Sequence, residues 1–177
     1  MIHRKQFTSW FSVAVVVLAV LSLIGIAMNR NAMIAVVVQL KPGAEEPSDH
    51  HLLGIGEKDK LPDYELRFRD GEDWHTVGLH PNRSAVDSIE FPLKTPWPLR
   101  RVDEIQLLEN DHVENDLLEQ LPVQSSKLSG KAFDFEIVES TSWGAGTAWF
   151  WETAIGKAFL LGITLGVAVI VISRLGV

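Results

Sequence analysis

The chain has 177 residues, 46% of them hydrophobic, no cysteine and a formal charge of −7. That length supports about one domain with extensions, and the missing cysteine removes disulfides, thiolate metal sites and a cysteine nucleophile. The hydrophobic content excludes a mostly disordered chain, and the acid excess excludes nucleic acid as the main partner.

The apolar residues are concentrated at the two ends. Trp10 to Met28 is nineteen residues without a charge, flanked by Arg4 and Lys5 on one side and Arg30 on the other. As a helix it would reach about 28 Å, close to the roughly 30 Å of a bilayer's hydrocarbon. Gly25 and Ala27 could form a small-x-small cleavage site, but the run is longer than a signal h-region, so an uncleaved anchor is expected.

Asn29, Arg30 and Asn31 make a poor helix interior and a good interfacial stop. Met33 to Leu40, rich in β-branched residues, then reads as the first strand, the alternative being a prolongation of the first helix. Lys41 to His50 is polar and punctuated by proline, so it reads as a long loop. Tyr64 to Arg69 alternates apolar with charged residues, as a half-buried strand does. Asp70, Gly71, Glu72 and Asp73 supply turn chemistry before Trp74 to Leu79 resumes the strand, which predicts a hairpin.

Ser88 to Leu93 alternates again, with Pro92 pushing it towards a sheet edge. Val102 to Leu108 reads as a strand with some helical ambiguity, and Leu117, Leu118 and Leu121 fit helical spacing in a short helix over 113–121. Gln124 to Gly130 reads as a loop tip. Phe133 to Val138 is the clearest alternation in the chain, and Ser140 to Thr147 reads as a flexible join. Six or seven short strands with proline- and glycine-rich connections predict an antiparallel sandwich or barrel.

The second apolar run, Thr153 to Ser173, is twenty-one residues with Lys157 as its only charge. Lys157 lies close enough to the start to carry its ammonium back to an interface. Trp149 and Trp151 before it, and Trp10 at the first run, are the aromatic residues expected at headgroup depth. The fold class expected is thus an all-β, antiparallel β-sandwich-like extramembrane domain flanked by N- and C-terminal transmembrane α-helices. Its parts are a tail at 1–9, a first membrane helix at 10–28, a β domain at 29–148, an aromatic collar and second membrane helix at 149–173, and a tail at 174–177. The short basic tails place both termini in the cytoplasm of a two-pass inner-membrane protein, with the central domain in the periplasm. That central segment, residues 29–152, carries 12 Lys+Arg against 23 Asp+Glu.

Asp87 to Phe91, Ile105 to Asp111 and Phe133 to Ile137 together give a strand rhythm over about residues 62–140 that resembles lipoxygenase-homology (PLAT-type) β-sandwich domains. Those are small modules that engage lipids or partner proteins. The resemblance implies the sandwich and carries over no site residue.

No catalytic constellation stands out. There is no Gly-x-Ser-x-Gly elbow and no phosphate-cradling glycine loop. His75, His80 and His112 have no nucleophile placed beside them. His50 and His51 are adjacent, and neighbouring side chains diverge, so the pair does not form a metal site. Glu109, Asp111, Glu114 and Asp116 offer the hard oxygens Ca²⁺ prefers but lack EF-hand spacing, so a solvated acidic turn is the first reading. The triplet from Asn82 to Ser84 would accept a glycan in a eukaryote.

Ala158, Gly162 and Gly166 share one helical stripe that would let another helix approach closely. The function expected is a non-catalytic accessory or assembly subunit of a larger membrane complex, with no cofactor and no metal. Its partners would be the lipid bilayer and other membrane-protein subunits, or a second copy, through the second helix. The alternative is a module that binds or senses a ligand, lipid or Ca²⁺.

Overall fold

The computed structural model describes residues 17–47, 61–110, 115–159 and 161–162. The chain divides into two compact units, Asn31–Thr141 and the flanking segments Met1–Arg30 with Ser142–Val177. The first is a two-layer antiparallel β-sandwich. Its strands are β1 (Asn31–Leu40), β2 (Tyr64–Asp70), β3 (Asp73–His80), β4 (Ile89–Pro98), β5 (Glu104–Asn110), β6 (Asn115–Pro122), β7 (Lys127–Ser129) and β8 (Phe133–Thr141). One sheet has the order β4-β1-β8-β7 and the other β3-β2-β5-β6.

The alternation in the sequence explains what lies between the layers. Tyr64, Leu66 and Phe68 of β2, Ile105 and Leu107 of β5, and Phe133, Phe135 and Ile137 of β8 are all buried. In β1 the parity changes, because a bulge between Met33 and Ala35 lets Met33 point inward together with Val36, Val38 and Leu40. Tyr64 and Phe133 join the sheets edge to face, with ring centroids 5.8 Å apart.

The predicted hairpin is present: Asp70 pairs with Asp73 across Gly71 and Glu72. Gly71 has φ +62°, the left-handed first position of a type II′ turn, which glycine adopts without a Cβ penalty. The two like-charged aspartates are accommodated by Arg101, whose guanidinium lies 2.5 Å from Asp70, and the Gly71 amide donates to Asp103 at 2.9 Å. Pro92, Pro96 and Pro98 all fall on β4, which is an edge strand, where missing amide donors cost no ladder bond.

Three local expectations change. Residues 115–122 form strand β6 rather than a helix, because a register shift between Leu107 and Leu108 places Leu117 and Leu118 next to each other on a bulged strand. The loop expected at 124–130 contains β7. The flexible join at 140–147 is the end of β8 followed by a helix, α2 (Trp143–Glu152), whose N-cap Ser142 accepts from the Ala145 amide.

The flanking transmembrane helices are corrected as well. Among the described residues, no helix is long and apolar enough to cross a membrane. The helical run α1 is described over 17–28. After the sandwich, α2 ends at Glu152, and Thr153 turns to an extended conformation with φ −74° and ψ 154°. The next helical residues are 154–159 and 161–162. The expected two-pass inner-membrane location, with cytoplasmic tails and a periplasmic domain, therefore does not stand. Positions 10–16, 160 and 163–173 of the two apolar runs lie outside the described residues, as do both tails.

Candidate functional site

The acidic residues singled out from sequence are only partly brought together. Glu109 and Asp116 are register partners on β5 and β6. Glu109 is buried and Asp116 exposed, while Asp111 and Glu114 lie outside the described residues. Among the described residues no three His, Asp or Glu side chains are grouped to hold a metal ion. His50, His51 and His112 are also outside them. His75 packs between Phe68 and Trp97, with centroids 5.1 and 4.7 Å away, and His80 stands edge-on to Phe91 with Nε2 3.1 Å from the Glu90 carbonyl oxygen. Both imidazoles thus brace β3 against β4.

Sequence reasoning missed the carboxylates that the fold buries or half-buries under hydrogen-bond donors. Glu65 faces outward from β2 yet is buried, because Arg67 donates to it at 2.6 Å, Thr76 at 3.0 Å and Asn110 at 2.7 Å. Burial alone would raise its pKa; the donation from Arg67 and Thr76 and the Arg67 charge outweigh that and hold it below the usual carboxylate range. Glu46 accepts from the Tyr64 hydroxyl, the Ser84 hydroxyl and the Ala85 amide, pinning the loop after β1. Burial, and then the Glu46 charge, push the Tyr64 phenol up. Glu119 accepts from the Lys131 and Ala132 amides at 2.7 and 3.2 Å. The signal available was an acid at an alternating strand position flanked by donors.

A folded-state pKa below the unfolded one gives stability that is present above the unfolded value of 4.5 and lost as pH falls through the folded value. Glu65→Gln is expected to flatten the acid side of the stability profile between about pH 3 and 6. Denaturant midpoints measured across that range check this; parallel wild-type and variant curves would refute it.

The outer face of the β3-β2-β5-β6 sheet is built from three cross-strand rows. Leu79, Glu65, Leu108 and Leu117 form the first, Thr76, Arg67, Gln106 and Gln120 the second, and Trp74, Arg69, Glu104 and Pro122 the third. Its charges are internally paired: Arg67 with Glu65 at 2.6 Å and Arg69 with Glu104 at 3.1 Å. Gln106 donates to Gln120 at 2.9 Å, which in turn donates to Glu104 at 3.2 Å.

The flanking unit offers a second kind of surface. The Ser142 amide donates to the Arg30 carbonyl at 2.7 Å, and the Arg30 guanidinium lies 4.6 Å from the centre of the Trp143 ring. A Cβ on Gly146 would press into the Ile26 carbonyl oxygen, and one on Gly25 into the Trp149 ring. The close approach of α1 and α2 therefore uses Gly25 and Gly146. At Gly162 an added Cβ would meet nothing within 4 Å, Ala158 and Lys157 are exposed, and Gly166 and Trp10 lie outside the described residues. Phe150 is buried beside Trp151 and Phe159. On α1, Val17, Leu18, Val20, Leu21, Leu23, Ile24 and Met28 are 48–78% exposed, and Trp143, Trp151, Ile155, Phe159 and Leu161 extend the apolar surface.

No family of known proteins matches the chain, and no curated protein matches it.

Proposed function

We propose that the chain is a non-catalytic accessory or assembly subunit whose helical unit docks on apolar surface of a larger complex. The observation that carries this reading is the run of exposed large apolar side chains on α1 and on the segment from Trp143 to Leu161. Each such side chain gains about 1.5–3 kcal/mol when fully withdrawn from water. Apolar patches of this kind mark interaction surfaces. The helix pair that carries them is fixed by the Gly25 and Gly146 approach, so little order has to be created on docking.

Gentle extraction of the full chain followed by native mass measurement tests the reading. Co-purifying subunits in fixed ratio are expected with the wild type, and their loss with Leu21→Asp combined with Ile24→Asp. A lone chain in both preparations would overturn it.

A second reading keeps the binding or sensing module. The antiparallel sandwich is compatible with the PLAT-type rhythm, and the opposed Glu109 and Asp116 supply two carboxylates at one strand end. A rise in Tm on adding CaCl₂, absent in Glu109→Gln, would favour it.

A further inference from the structure

The sandwich is acidic overall, with 11 Lys+Arg against 22 Asp+Glu between residues 31 and 141. Two copies therefore repel one another over most of their surface. The outer face of the β3-β2-β5-β6 sheet is the exception, because each arginine in its three rows is paired with a glutamate. Among the described residues of the sandwich, three of the four exposed large apolar ones, Trp74, Leu79 and Leu117, also lie on this face. The outer face of the other sheet holds Glu90, Asp134 and Glu136 against Lys127 and Lys41 and, among the described residues, no exposed large apolar side chain.

We propose that this face is a homodimer interface, with a second copy of the chain packed face to face about a two-fold axis running along the strands between β2 and β5. The strand order supplies the argument. Such an axis exchanges β3 with the partner's β6 and β2 with the partner's β5, so every row meets itself reversed. Leu79 then faces the partner's Leu117, Trp74 faces the partner's Pro122, and Arg69 faces the partner's Glu104. Apolar meets apolar at the rims of the first and third rows, and opposite charges meet within the third. In the middle row Arg67 faces the partner's Gln106; Glu65, already held by Arg67 of its own chain, faces the partner's Leu108. Packed sheets stand about 10 Å apart, a gap these side chains fill from both sides. Tryptophan and arginine are the residue types that carry most energy in such contacts.

The chain lacks cysteine, which makes the test clean. Full-length Leu79→Cys and full-length Leu117→Cys are mixed and oxidised, beside a control mixture of Leu79→Cys with Glu136→Cys. A disulfide-linked heterodimer is expected from the first mixture and loss of that species in the control. No link in either, or equal links in both, would overturn the interface; the latter is the result expected if copies meet only through their helical units.

A second measurement separates the interface from the pair within one chain. Arg69→Glu sets Glu against the partner's Glu104, and Glu104→Arg sets Arg against the partner's Arg69, so each variant alone is expected to sediment as a monomer. Mixing the two restores attraction in both symmetry-related pairs, so dimers are expected to return. Restoration by mixing would place the contact between chains, because loss of the Arg69–Glu104 pair within one chain cannot be repaired by another; failure of mixing with both variants still folded by circular dichroism would overturn the proposal.

Discussion

Replacing Phe133 with alanine is expected to lower the free energy of unfolding by about 3–5 kcal/mol. The side chain is 1% exposed and meets the Tyr64 ring across the two sheets, so truncation removes both area burial and an aromatic contact. The surrounding strands are hydrogen-bonded on both sides of β8 and cannot collapse into the space. The matched control is Glu136→Ala, three residues further along the same strand and exposed, where a change within about 0.5 kcal/mol is expected. Denaturant unfolding followed by circular dichroism measures both. Equal losses would show that Phe133 does not join the layers.

Gly146→Val is expected to loosen the helical unit and leave the sandwich unchanged. The atom in the way is a backbone carbonyl oxygen, that of Ile26, which has no rotamer to escape into. Forcing a side chain into a filled contact costs about 1–3 kcal/mol. Amide exchange within 17–28 and Trp143–Glu152 should therefore quicken by roughly 5- to 150-fold. Exchange in β1 and β8 should stay as it was, since Asn31–Thr141 is a separate compact unit. Slow exchange retained in both helices would show that their contact does not pass through Gly146. Gly162→Val serves as the comparison, with no slowing or quickening expected, because nothing stands within 4 Å of that position.

Much of the sandwich was legible because its strands obey the two-residue period. The alternation of Tyr64 to Arg69 and of Phe133 to Val138 predicts which side chains enter the core, and the glycine-bearing turn at Gly71 predicts their pairing partner. The strand β6 was not legible. Its bulge sets Leu117 on the outer face and turns Leu118 towards the core, so the leucines at 117, 118 and 121 imitate a helical stripe. The stretch from Ser140 to Thr147 was misread for another reason. Small polar residues and glycines look like a linker, but Ser142 is a helix cap and Gly146 a contact point.

The apolar ends show the limit of hydropathy. It records that residues avoid water, while crossing a bilayer also needs a long continuous helix, and among the described residues no helix is long and apolar enough. The candidate sites were less legible than the fold. A glutamate such as Glu65 or Glu46 reads as solvated in one dimension, and its place in the fold depends on donors brought in from residues 11, 38, 39 and 45 positions away.

The placement of β1 also governs when the domain can exist at all. This strand is made first and sits in the middle of its sheet, between β4 and β8. Its neighbour on one side is synthesised about fifty residues later and the other a further forty. Until the ribosome has passed Thr141, the hydrophobic strand from Met33 to Leu40 has an open flank on its β8 side. Contacts of such long range close slowly. A nascent chain halted before residue 133 would therefore expose a sticky, half-paired ribbon, and stop codons in that region should yield aggregated or degraded fragments instead of a smaller working domain.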